Sequence, residues 1–553
     1  MRLFVTARKN LTHQATKHQA AFRTMSLHSS FKTDFPDSTA VPSSFFKWPG
    51  VTQASTDTTR RVLEENDRKH DIYEKLRYAH NHFPHSILTR YALGAPPKLL
   101  EDTWKHDEKR LATLDPKDDH RETGDLSRLP EKITTDDWDD PKTLGFKDAY
   151  ARYLVFFHSE IGRLGPLGAV KEYVFSPEAN WNSRNNHAAP QMLVRMVAGV
   201  LHPFIHTGFG LEFRDRVVLA EALAQAAVHD HSVMRQLFPS NWPENELHPR
   251  PGKGLEVKKD EWNDDVIAEG SSGGVSLFEI FAELQQDKHL AAPPYNPNML
   301  INDRLTAVFQ GDNSDRLLAL IDKWGLSDEE LRDGPGGWHR KLDEVGVLVT
   351  LLACATGRKG ERPRIDFFLM HTLTSSMFLP AFMAVLEPPA RRAVLKTYTA
   401  ALFAMSIARG KPNVDVSYLM QAPLFPVGPG TTPKPGASRD CLSDPSDEAT
   451  RGAWPSIVES ALYATDSHVP KSIRALAHYA ATLASTPVGD LHGTTVNGQD
   501  VLPGSSQLDG TMFVRAAGLV MDVMGWCREG QEAGSWTFDP IGYDEVWRRT
   551  ESS

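Results

Sequence analysis

Histidine titrates nearest neutrality of all side chains and binds many metals, and this chain concentrates it on otherwise apolar stretches. "YAHNHFPHSILTRYALGA" carries His80, His82 and His85 within six positions, with Pro84 inside the cluster. "GVLHPFIHTGFGLEF" carries His202 and His206, spaced i, i+4, with Pro203 between them. On an unbroken helix that spacing puts both imidazoles on one face, which suits two ligands of one metal or an acid–base pair. Each proline removes an amide donor, so it fits the first turn of a helix and disrupts later ones. "DFFLMHTLTSSMF" adds His371, with Phe367, Phe368, Thr374 and Ser375 three and four residues away. That helix face combines aromatic area, a titratable group and two hydroxyls, which suits a flat aromatic ligand with polar edges. We expect His82, His85, His202, His206 and His371 to form one catalytic pocket, with Phe367, Phe368, Thr374 and Ser375 against the substrate.

Other motifs point elsewhere. His229 and Asp230 in "AVHDHS" form the His-Asp dipeptide of all-α metal phosphohydrolases, which keeps a metal hydrolase open as a second class. "GSSGG", residues 270–274, has the nucleophile-elbow spacing, but the preceding "DDVIAE" is too short and acidic for the buried strand that motif needs. The chain has neither a zincin His-Glu-x-x-His nor a Walker motif. No Gly-x-Gly-x-x-Gly follows a strand, so the usual flavin, nicotinamide and phosphate cradles are missing.

The elements that must position these residues read as helices. "TRRVLEENDRKHDIYEKLRY", "RDRVVLAEALAQAAV", "DEVGVLVTLLACATG" and "SIRALAHYAATLA" place apolar residues at helical period, and no alternating strand of six residues occurs. The expected fold class is all-α: one large multi-helix domain over residues 55–553. Polar or Pro/Gly-rich surface insertions are expected near 101–140, 239–262 and 424–455. Residues 1–54 read as a tail without a periodic apolar face. The first 33 hold six Lys/Arg and no acid, the composition of a mitochondrial presequence.

Bulk composition narrows the partners. Of 553 residues, 40% are apolar and 24% charged, as in a globular protein with a sizeable core. A net charge of −10 leaves no basic stripe to neutralise phosphates, so no nucleic-acid partner is expected. No run of 18 apolar residues occurs, so no membrane span is expected. Three scattered cysteines without a Cys-x-x-Cys pair point to a reducing, cytoplasmic setting and away from a cysteine-built zinc site. Oligomeric state is not legible.

Taken together, "YAHNHFPHSILTRYALGA", "LHPFIHTGFGLEFRDRVVLAEALA", "DFFLMHTLTSSMFLPAFM", "SHVPKSIRALAHYA" and "FVRAAGLVMDVMGW…FDPIGYDEVW" resemble the questin oxidase family of fungal polyketide clusters. The resemblance spans residues 60 to 548 with motifs in the same order. It implies Baeyer–Villiger-type oxidative cleavage of an anthraquinone or related fused-ring ketone by molecular oxygen. The family's Asn-His-x-x-His falls on Asn81, His82 and His85, its His-Pro-x-x-His on His202, Pro203 and His206, and its Met-His on Met370 and His371. Pro84 and Ser86 depart from the pattern, standing where relatives tend to show a small residue and another histidine. A branch of the family holds a non-haem iron on four histidines and a modified lysine. Carried over, the iron set here would be His85, His202, His206 and His371. The lysines nearest His371 in sequence are Lys359 and Lys396, which favours a metal-free reaction in which the electron-rich substrate activates oxygen. No flavin is expected, and NADPH use stays open. A non-catalytic polyketide-binding protein is the third class.

Overall fold

Thr52 starts the first long helix. Its hydroxyl accepts from the Ser55 amide, the Ser55 hydroxyl accepts from the Thr52 amide, and the capping box opens α1 (Gln53–Lys69). A short strand follows, β1 (His70–Glu74), and then α2 (Phe83–Ala92), with Pro84 in its first turn. Strand β2 (Leu111–Thr113) returns to pair antiparallel with β1. The helices that build the centre come next: α3 (Tyr150–Leu164), α4 (Met192–Phe213) and α5 (Arg216–Val228). They are followed by α6 (His339–Cys354), α7 (Phe367–Ser376), α8 (Pro388–Ala408), α9 (His468–Leu483) and α10 (Met512–Met524).

This computed structural model describes residues 46–76, 79–114, 129–183, 185, 187–247, 274–334, 336–429, 438–444, 447, 450 and 452–548. Among them the only other sheet is the two-residue pairing of Thr495–Val496 with Gln499–Asp500. The chain is all-α, as its helical periodicity predicts.

One hydrophobic cluster runs from Val62 to Trp536, with a small satellite at Ile541, Val546 and Trp547. Within it α2 packs on α4, α4 on α7, α7 on α9, and α9 back on α2. This closed ring of four helices is the frame of the site. Two stretches, α4 and residues 367–385, are long and apolar enough to cross a membrane, but both lie mostly buried inside the fold. They are core helices.

Helix α4 is not continuous. Gly199, Val200 and Leu201 take left-handed backbone angles (φ 53°, 57° and 66°), so the helix breaks and restarts at His202. Left-handed geometry is strained for a β-branched valine. At Gly199 a Cβ would lie 2.0 Å from His229 Nε2, so only glycine fits there.

The expected insertions are more built than their composition suggests. Residues 101–140 contain most of a helix, Pro97–Asp107, together with β2, and bury Trp104 and Trp138 in the core. Trp242 in the second stretch is also buried and donates its Nε1–H to Thr397 Oγ1. Much of the second and part of the third stretch lie outside the described residues, as do residues 1–45 of the tail and most of "GSSGG". Phe46 and Trp48, within the segment read as tail, pack against the core, and the Trp48 amide donates to the Ala92 carbonyl at 2.7 Å.

Candidate metal centre

Each helix of the ring brings one histidine to a common point. His82 caps the N-terminus of α2, His202 begins the second half of α4, His371 sits one turn into α7, and His468 is the first residue of α9. One nitrogen from each lies within 4.8 Å of the others. Neighbouring rings stand 4.8 Å (His82–His202), 5.1 Å (His202–His371), 4.9 Å (His371–His468) and 4.8 Å (His468–His82) apart, centroid to centroid.

The hydrogen bonds assign the tautomers. His82 Nδ1–H donates to the His80 carbonyl at 2.7 Å, His202 Nδ1–H to that of Gly199 at 2.6 Å, and His371 Nδ1–H to that of Phe367 at 2.7 Å. His468 Nδ1–H donates to Asp466 Oδ1 at 2.7 Å. Carbonyl and carboxylate oxygens only accept, so every Nδ1 carries the proton and every Nε2 presents a bare lone pair. The Nε2 atoms of His82 and His202 face each other at 2.9 Å, and those of His371 and His468 are buried without a hydrogen-bond partner. Lone pairs converging with no proton between them call for a cation. Metal-bound histidine ordinarily holds its other nitrogen in this way. Metal–nitrogen bonds are about 2.1 Å long, so ligand atoms that all lie within 4.8 Å of one another are close enough to share one ion after a small contraction. The four residues fit a metal.

Electrostatics agree. Burial pushes His82, His202 and His371 well below the ordinary imidazole value and His468 down to about 4, with the Lys471 ammonium acting in the same direction. All four are therefore neutral and ligand-competent near pH 7. Lys471, one turn after His468 on α9, is itself buried with Nζ unpartnered, and burial brings it down to about 7.

The expected histidines separate into two groups. His82, His202 and His371 join the centre. His85 and His206 bond to each other instead, Nε2 to Nδ1 at 3.2 Å, and His206 Nε2 meets Glu221 Oε2 at 3.1 Å. The converging cluster thus differs from the iron set carried over from the family at two positions: it holds His82 and His468 where that set has His85 and His206. The reason is rotational: one turn beyond His82 and His202, the side chains of His85 and His206 meet across the α2–α4 contact. A lysine stands near the centre after all: Lys471 comes from α9, one turn beyond His468, and not from the neighbourhood of His371. Neither His468 nor Lys471, both within "SHVPKSIRALAHYA", belongs to the expected site, although the sequence carries a signal for the histidine. His82, His202 and His468 each precede a proline by one or two residues, and each stands at a helix start where that proline is tolerated.

Phe367 borders the centre, with its ring 4.7 Å from His371, 5.1 Å from His468 and stacked at 4.4 Å on Phe538, which is 60% exposed. Phe368 lies under the Arg409 guanidinium, 4.6 Å from its carbon. Thr374 and Ser375 are engaged in the core: Thr374 donates to the His371 carbonyl, and Ser375 bonds to the Tyr398 hydroxyl. His229 stacks on His80, while the Asp230 carboxylate accepts from Ser232, so the His-Asp dipeptide shares no ligand geometry.

Comparison with known proteins points the same way as the motifs. Residues 79–476 match the family described as questin oxidase-like, a span holding all four converging histidines and Lys471. A Baeyer–Villiger oxidase of Pestalotiopsis microspora is 27% identical over 334 residues, 60% of this chain and 65% of that protein. A Baeyer–Villiger monooxygenase of Aspergillus aculeatus is 25% identical over 522 residues, 91% of this chain and 92% of its own. A questin oxidase of Aspergillus terreus is 26% identical over 323 residues, 58% of this chain and 61% of that protein. The chain therefore spans just under two thirds of the length of the first and third of these relatives. With the matched residues covering well over half of its length, the chain belongs to the questin oxidase-like family.

Proposed function

We propose that this protein is an iron-dependent, flavin-independent oxidase that cleaves a ring of an anthraquinone or related fused-ring polyketide with molecular oxygen, in the Baeyer–Villiger manner. The observation that carries this reading is the convergence of four proton-free Nε2 atoms whose Nδ1 partners are all fixed. Imidazole suits zinc, copper, iron and nickel, and reaction with oxygen selects a redox-active member. His82, His202, His371 and His468 would hold the iron, which when bound would supply the one-electron chemistry with oxygen that the organic substrate performs poorly alone.

The chain's own residues do the rest. Three of the four histidines stand at helix starts, whose positive ends favour a phenolate or oxygen anion beside the metal. Phe367 and Phe538 supply a flat apolar wall for an aromatic substrate. Lys471, near 7, can hold or release a proton beside the centre at working pH.

The test is elemental analysis of protein purified without chelators, followed by oxygen consumption with a reduced anthraquinone, with and without NADPH. About one iron per chain, activity lost on chelation and regained with ferrous iron are the expected outcomes. Full activity without metal would overturn the iron, and no oxygen uptake with any reduced anthraquinone would overturn the oxidase reading.

A further inference from the structure

A second run of buried polar groups lies beside the metal centre. His85 Nε2 is 3.2 Å from His206 Nδ1, and His206 Nε2 is 3.1 Å from Glu221 Oε2. Asn66 Nδ2 donates to Glu221 Oε1 at 2.8 Å, and Asn81 Nδ2 donates to Asn66 Oδ1 at 2.9 Å. None of His85, His206 and Glu221 is more than 1% exposed. At the other end His85 Nδ1 is buried with no hydrogen-bond partner, its ring 5.8 Å from that of His82 and 6.2 Å from that of His202. A line of three hydrogen-bonding groups that ends on an unpartnered nitrogen, in a ring adjoining those of His82 and His202, has the geometry of a proton wire.

We propose that Glu221 is the proton store of a relay, Glu221–His206–His85, that delivers a proton from His85 Nδ1 to oxygen anions formed at the neighbouring centre. For its acceptor the relay rests on the oxidase reading. In the loaded state the Glu221 carboxylic acid donates to His206 Nε2, His206 Nδ1–H donates to His85 Nε2, and His85 Nδ1–H is the exit. Delivery breaks three N–H or O–H bonds and forms three. His85 Nδ1 loses its proton to the anion, His85 Nε2 takes one from His206 Nδ1, and His206 Nε2 takes one from Glu221. Glu221 ends as a carboxylate and regains its proton from solvent between turnovers. No electron moves, and the imidazoles change tautomer without becoming charged.

The surroundings explain why the store is the carboxyl. Burial pushes His206 down to about 3, so it cannot hold a second proton. The ionisable groups nearest Glu221 are Asp67 of α1, Asp215 just before α5, His206 of α4 and Tyr150 of α3. Asp67 also bonds to His158 Nε2 of α3 at 2.9 Å, and against the effect of burial that contact raises His158. Burial first, then Asp67, raises Glu221 well above the carboxylate range, while the Asn66 donor opposes them.

Infrared difference spectroscopy of metal-free wild-type protein against Glu221→Gln reads the store directly. A protonated-carboxyl band at neutral pH that is lost in the variant is the expected result, and no such band in the wild type overturns the proposal whether or not the protein is an oxidase. In the iron-loaded enzyme, Glu221→Gln should keep its metal, lose about 10²-fold in kcat with little change in KM, and lose the alkaline fall in the pH profile. Glu221→Asp should recover part of kcat. A folded Glu221→Gln enzyme with wild-type kcat and pH profile would equally overturn the relay. If that variant fails to fold, the wild-type band at neutral pH decides.

Discussion

Each of the four converging histidines gives its Nδ1 to the protein and keeps Nε2 for the centre, so the acceptor of Nδ1–H matters almost as much as the imidazole. Asp466 is the one ionic acceptor among them, and it also accepts from Trp536 Nε1 at 2.7 Å. Asp466→Asn should lower metal affinity about 10–100-fold by loosening the orientation of His468. His468→Ala should abolish stoichiometric metal binding, whereas His206→Ala, which removes no ligand, should keep it. Elemental analysis of the purified variants separates the two roles. Full metal content in His468→Ala would refute the ligand set.

At the scale of the element, helix starts decide where the ligands point. Asp366 illustrates how one residue holds such a start. Its Oδ1 accepts from the Phe368 and Leu369 amides at 2.9 and 3.1 Å, capping α7 ahead of His371. Its Oδ2 accepts from Arg409 Nε at 2.7 Å in a pair with almost no exposure, and Arg409 also donates to the Phe538 carbonyl. Asp366→Ala removes the cap and strands a buried guanidinium, so it should destabilise the fold by about 3–5 kcal/mol. Denaturant melts of the purified variant check this. A loss below about 1 kcal/mol would show that the pair is solvated in solution.

At the scale of the whole molecule, the metal-free protein encloses several imidazoles whose neutral form burial enforces: His206 about 3, His229 and His468 about 4. In the unfolded chain the same groups titrate near 6.5. Between pH 6.5 and about 3–4 the unfolded state therefore binds protons that the folded state refuses, and stability falls as pH falls. Each such histidine contributes about 1.4 kcal/mol per pH unit across that window. Urea midpoints of chelated protein should decline steeply from pH 6.5 to pH 4, and at least as steeply once iron is bound, because a ligating imidazole refuses protons in the folded state altogether. A flat profile over that range would show that the histidines are protonated in place.

Helical period alone was enough to establish the fold class, because a 3.6-residue apolar stripe has only one way to be buried. The same sequence singled out His82, His202 and His371 by their apolar neighbours. It also brought out His85 and His206, since i, i+3 and i, i+4 spacing says which residues share a face but not which nitrogen points where. That was settled by α2 crossing α4, which turns His85 toward His206 and Glu221 and leaves His82 facing His202. His468 and Lys471 lie about a hundred residues beyond His371, and only the packing of α9 between α2 and α7 closes the ring. The break at Gly199–Leu201 was hidden as well. Nothing in "AGVLHP" except one glycine announces three left-handed residues, and the His229 ring that leaves room only for glycine at 199 comes from beyond α5. Local pattern is set by neighbours along the chain, whereas a ligand sphere is set by where four helix ends meet.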